Sequence, residues 1–193
     1  NLIVRNEIVG CGATPRGLAV VQSAGFVIRR QSELQSFDAD IVVVTAPPGM
    51  SARKALKKLR ASDPDTAYDF NHVYSAGGAD AGAASVATIV PAVQSARDGQ
   101  SIALRVGLVD GGVEASHAAL RSLSLHVHGC DGAAVPSTHG TAIASRLIAG
   151  LSEATPTIAD VNLYVADVYC GAPTGGSTDA VIQGLAWLMQ ENV

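Results

Sequence analysis

Two positions in this 193-residue chain combine a reactive side chain with a telling local context. Asp110 closes the apolar run SIALRVGLVD and is followed by Gly111 and Gly112, which let the chain turn sharply. His139 lies in PSTHGTAIAS, where Ser137 and Thr138 can cap a helix that Gly140, Ala142, Ala144 and Ala149 allow to pack closely. In open parallel sheets the working space lies beyond the carboxyl ends of the strands, so a strand-terminal aspartate and an imidazole at a helix start can meet there. A carboxylate beside an imidazole fixes its tautomer and stabilises its protonated form, leaving the second ring nitrogen to take a proton from a nucleophile.

The elements that must position this pair are legible from residue patterning. The segment VNLYVADVYCG (161–171) reads as a strand beside SIALRVGLVDGG (101–112), as does LSLHVHG (123–129), with helices predicted over 138–150 and 178–190. Strand and helix in alternation predict an α/β region with a parallel sheet. Before it, TPRGLAVVQSAG (14–25) has helical spacing ending at Gly25, and FVIRRQSEL and DADIVVVTAP read as strands. Ser51 caps a second helix whose Ala55, Leu56 and Leu59 share one face and whose Arg53, Lys54, Lys57, Lys58 and Arg60 share the other. TAYDFNHVY alternates Tyr68, Phe70, His72 and Tyr74 on one side of a strand or extended tail. Residues 1–74 therefore form a small α+β unit, near the lower size for independent stability. SAGGADAGAAS (75–85) opens an Ala/Gly-rich linker predicted over 75–100, ahead of the α/β region at 101–193.

Composition narrows the function classes. A net charge of −4 gives no basic footprint for nucleic acid, and no apolar run approaches the roughly 18 residues of a membrane span. Residues 1–74 carry nine Lys/Arg against seven Asp/Glu and residues 75–193 carry four against ten, opposite signs that would favour docking of one segment on the other. The three cysteines lack zinc-site spacing; Cys130 and Cys170 could form one bridge in an oxidising compartment, with Cys11 left free. The chain opens at Asn1 without the charged and apolar regions of a signal peptide, as expected of a trimmed or processed product.

VGLVDGGVEASHAAL, STHGTAIASRLIAG and LYVADVYCGAPTGGSTDAVIQGLAWLM resemble the first two catalytic blocks of subtilisin-like serine proteases and the strand and helix after them. The Asp, His, Ser order is that of subtilisin. The resemblance implies a secreted or periplasmic serine endopeptidase acting on polypeptides, with Asp110 as the triad aspartate and His139 as general base. Its fold would be a partial doubly wound parallel sheet with helices on both faces, preceded by a small α+β propeptide-like domain. Residues 1–74 resemble the propeptide of these proteases, which implies an intramolecular contact with the catalytic domain and a tail, YDFNHVY, laid in the substrate cleft. Two departures are Gly111, where the family commonly has Thr or Ser, and Ala142, where it often has a second His. The resemblance implies no cofactor; calcium occurs in the family, but no residue here is assigned to it.

The family's serine lies on the order of 150 residues after its histidine, whereas 54 residues follow His139. The Gly176-Ser177-Thr178 turn aligns instead with a helix start, where Ser177 or Thr178 caps and Asp179 favours the positive helix end. The chain alone is therefore expected to be inactive, the missing C-terminal half of the catalytic domain being a further partner. Alternatives are a non-catalytic protease inhibitor or chaperone on a degenerate scaffold, and a metal-binding α/β domain using His117, His126, His128, His139 and Asp110. A nucleotide site is weakly supported, since GLVDGGV carries neither G-x-G-x-x-G nor G-K-[ST].

Overall fold

The computed structural model describes residues 2–75, 102–154, 158–172 and 175–193. It is a mixed α/β fold in two compact units: among the described residues, 2–74 with 175–186 form the first, and 75–172 with 187–193 the second. The linker expected over 75–100 lies outside the described residues, apart from Ser75.

The first unit is built on β1 (Ile3–Cys11), α1 (Pro15–Ser23), β2 (Val27–Leu34), β3 (Ala39–Thr45), α2 (Ala52–Ser62) and β4 (Ala67–Tyr74). They follow the β-α-β-β-α-β pattern, with strand order β2-β3-β1-β4 and every neighbouring pair antiparallel. Local signals set the helix starts. Thr14 Oγ1 accepts from the Gly17 amide at 3.0 Å with Pro15 in the first turn, and Ser51 Oγ accepts from the Lys54 amide at 3.4 Å. The helices pack Val21, Leu56 and Leu59 against Ile8, Val42, Val44 and Tyr68.

A fifth strand, β8 (Gly176–Ser177), pairs antiparallel with the end of β4, Val73 opposite Ser177 and Tyr74 opposite Gly176. Behind it, α4 (Thr178–Gln190) lays Ile182 and Ala186 against Val9, Leu34, Ile41 and Val43. Strand β3 is thus covered on both faces, which is why IVVV is an unbroken β-branched run rather than an alternating one.

A polar network runs from the buried Asn71 and Asp179 of this unit out to Arg30, whose side chain is 46% exposed. Asn71, with no exposed surface, donates from Nδ2 to Glu7 Oε2 at 2.8 Å and to Asp179 Oδ1 at 2.9 Å. Arg30 bridges the same carboxylates, at 2.9 Å to Glu7 and 3.0 Å to Asp179, and Ser177 Oγ donates to Asp179 at 2.6 Å. Burial alone would raise the Asp179 pKa, but the donors Ser177 and Asn71 and the charge of Arg30 outweigh it and hold the carboxyl below its ordinary value.

The second unit contains β5 (Ile102–Asp110), β6 (Ser124–His128), α3 (Thr138–Ala154) and β7 (Ile158–Asp167). The three strands form a parallel sheet in the order β5-β7-β6. One face packs Leu104, Val106, Leu108, Leu125, Leu163 and Val165 against Ala144, Ile148 and Leu151 of α3. On the other face a Cβ at Gly107 would meet Leu188 and Val193 side chains at 3.0 to 3.2 Å, so the glycine admits the end of α4. His128 stacks on Trp187 with ring centroids 4.9 Å apart, and His126 on Tyr164 at 4.4 Å.

The Asp179 network sets a pH dependence. A carboxyl whose folded pKa is depressed stabilises fully above its unfolded pKa, and that contribution is lost as pH falls through the folded value. Urea midpoints should therefore fall below about pH 4, and Asp179→Asn should flatten that acid slope. Asn71→Ala, which strips a donor from two carboxylates, should cost about 2 kcal/mol by urea denaturation at neutral pH.

Candidate active site

The rim of the parallel sheet is where β5 and β7 end together, Asp110 and Asp167 being Cα partners. Asp110 is the last residue of β5 and His139 the second of α3. Their side chains meet: His139 Nδ1 lies 2.9 Å from Asp110 Oδ1. The aspartate side chain is 11% exposed and the histidine 35%, so the carboxylate is the sheltered member and the ring the accessible one. The same Oδ1 accepts from the Gly111 amide at 2.7 Å, which fixes the carboxylate from the strand side. A carboxylate only accepts hydrogen bonds, so this contact suits the tautomer of a neutral ring that carries its proton on Nδ1 and its lone pair on Nε2.

Ser137 aims the helix that carries the ring. Its amide donates to the Gly112 carbonyl at 2.8 Å, and its hydroxyl accepts from the Gly140 amide at 2.9 Å and donates to Gly112 O at 3.2 Å. The Thr141 hydroxyl accepts from the Glu114 amide at 3.0 Å and donates to the Ser137 carbonyl at 2.7 Å. Packing here leaves no room for a β-carbon: one at Gly111 would come within 2.5 Å of Ser137 Oγ, and one at Gly140 would collide with the carbonyls of Gly111 and Gly112. Gly111 thus accompanies the capping serine, a physical reason for the absence of Thr or Ser at this position.

Cys130 and Cys170 are joined in a disulfide with their Cα atoms 5.3 Å apart; in the first unit, Cys11 is a free, half-buried thiol whose pKa burial raises. Asp167, 3% exposed, accepts three backbone bonds: Oδ2 from Val135 at 2.9 Å, Oδ1 from Tyr169 at 3.1 Å and from Cys170 at 2.9 Å. Burial, and secondarily the charge of Asp110, push the Tyr169 phenol up. Asp167 escaped the sequence reading although it gives the same signal as Asp110, an acid ending an apolar strand.

The remaining sequence candidates lie elsewhere. His117 Nδ1 contacts Ser145 Oγ at 3.1 Å, while His126 and His128 are engaged in the ring stacks described above. Among the described residues, the three groups whose metal-ligating atoms gather within 4.8 Å are Cys130, Asp167 and Cys170, and both sulfurs are consumed by the disulfide. Neither observation favours the histidine metal site. Ser177 Oγ donates to Asp179 rather than acting as a simple cap, and Thr178 Oγ1 accepts from the His72 amide at 3.0 Å.

Removing the Ser137 hydroxyl tests how α3 is seated. Ser137→Ala should lower stability by about 1 kcal/mol and speed hydrogen exchange at the Gly140 amide, with smaller change toward the helix middle.

Comparison of the chain with protein-family models, with curated proteins and with solved structures found no match, leaving the geometry of the site and the sequence motifs to carry the functional reading.

Proposed function

We propose that this chain is part of a subtilisin-like serine endopeptidase, a secreted or periplasmic hydrolase of polypeptides whose nucleophilic serine lies outside residues 1–193. The observation that carries this reading is the 2.9 Å contact between His139 Nδ1 and Asp110 Oδ1 at the carboxyl rim of a parallel sheet. In the complete site, the serine Oγ attacks the scissile carbonyl carbon as its proton passes to His139 Nε2, and the carbonyl electron pair moves onto oxygen. The imidazolium then returns that proton to the leaving amine nitrogen as the C–N bond breaks. Asp110 stays ionised throughout, holding the tautomer and stabilising the charged ring.

Two further features support the reading. Residues 1–74 resemble the propeptide of these proteases, and in the first unit the end of β4 pairs with Gly176–Ser177 through main-chain hydrogen bonds. The Cys130–Cys170 disulfide suits an oxidising compartment. The sheet of the second unit is the front of a doubly wound sheet, which the remaining part of the catalytic domain extends. No helix among the described residues is long and apolar enough to cross a membrane.

A fluorophosphonate probe should leave this chain unlabelled, and labelling at Ser177 would contradict the assignment. The same chain extended by about two hundred of its downstream codons should label at a serine in a Gly-Thr-Ser-like turn. In that extended protein Asp110→Asn should lower kcat by about 10⁴-fold, and His139→Ala should abolish burst kinetics. Retention of full turnover by His139→Ala would remove the basis of the reading.

A further inference from the structure

We infer that Asp167 is a positioning residue for the Asp110–His139 pair, acting through the loop that seats the first turn of α3. The inference deepens the serine-protease reading and rests on it for the chemistry His139 performs. Asp167 ends β7 beside Asp110 and is almost wholly buried, yet its charge is met by three backbone amides, those of Val135, Tyr169 and Cys170. Charge-assisted bonds of this kind are about twice as strong as neutral ones, and a buried carboxylate is tolerable only when so satisfied.

The bond to Val135 reaches toward the catalytic pair. Two residues on, Ser137 donates its amide to Gly112 O and accepts the Gly140 amide, while Pro136 bridges Gly112 in parallel. A continuous set of contacts therefore runs from Asp167 to Val135, to the Gly112–Pro136 bridge, to the Ser137 cap and to the helix turn that carries His139. Gly112 makes the approach possible, since a β-carbon there would come within 2.5 Å of the Val135 carbonyl oxygen and 3.0 Å of Asp167 Oδ2. The disulfide ties Cys130, in the loop after β6, to Cys170, in the loop after β7. Asp167 joins those loops a second time without a covalent bond, through Val135 on one side and Tyr169 and Cys170 on the other. An apolar side chain at 167 would orphan three amides. An asparagine would offer one oxygen and turn an N–H₂ group toward a donor.

The test reads the His139 ring directly by NMR of this chain, in which the Nδ1 proton bound to Asp110 gives a low-field resonance. In Asp167→Asn the exchange of that proton with water should rise about tenfold or more, the effect expected from losing a bond to a charged group. Amide spectra of β5 and β7 should stay native. Should Asp167→Asn fail to fold, Val135→Pro removes the donor of the same bond and leaves the carboxylate in place; it should raise the exchange likewise. Unchanged exchange in a folded variant overturns the inference, since a residue that only stabilised the loop would leave the ring signal as it was. Asp110→Asn separates the two readings. Loss of the low-field resonance in that variant upholds the pair, whereas its persistence defeats the pair itself, whatever Asp167 does.

Discussion

The hydrogen bond between Asp110 and His139 depends on a packing constraint more than on the two residues that make it. A strand must end, turn on itself and receive the start of a helix within one layer of atoms, and the contact surfaces are almost entirely backbone. Gly111, Gly112 and Gly140 supply that backbone, because a β-carbon at any of them would collide with Ser137, with Val135 or with the opposing glycines. The Ser137 hydroxyl serves as the local fastener, accepting from the helix and donating to the strand-end turn. What looks in sequence like a small-residue helix is small on its first turn for a steric reason. The ring reaches the carboxylate because the two main chains can touch.

The two units solve burial differently. In the second, apolar side chains from a parallel sheet and one helix make an apolar interior, and Asp110 and Asp167 end neighbouring strands at its rim. In the first, β3 is apolar on both faces, while the buried Asn71 and Asp179 are joined with Glu7 to the exposed Arg30. Such a network gives little net stability, since the desolvation of charges offsets much of their attraction, but breaking one member is costly. It also joins residues about a hundred positions apart in the chain, Asn71 to Asp179, so it specifies which segment completes the unit. Hydrophobic burial alone would be less selective.

Much of this architecture was legible in the sequence. The helices α1, α2, α3 and α4 and the strands β2 to β7 follow from apolar spacing, from the Gly25 stop and from Ser51 and Ser137 as capping residues, and the meeting of Asp110 with His139 follows from strand-end and helix-start logic. Strand β1 was missed because Arg5, Asn6 and Glu7 break the alternation; Asn6 has a positive φ, and the register against β4 shifts between Ile3 and Ile8. Two-residue β8 has no periodicity to read, and the buried Asn71 resembles any polar position on an alternating strand until its partner, 108 residues away, is known. The Cys130–Cys170 bridge was one of two open possibilities, because spacing alone does not fix proximity. Long-range pairings of this sort arise from tertiary packing, which local patterns do not encode.

The most direct measure of the central claim is a double-mutant cycle on the stability of this chain, using Asp110→Asn, His139→Gln and the two together. If the side chains form one interacting unit at the sheet rim, the cycle should return a coupling of about 1 to 3 kcal/mol at neutral pH. Additivity within about 0.3 kcal/mol, with all variants folded, would mean that the carboxylate and the imidazole do not act on one another.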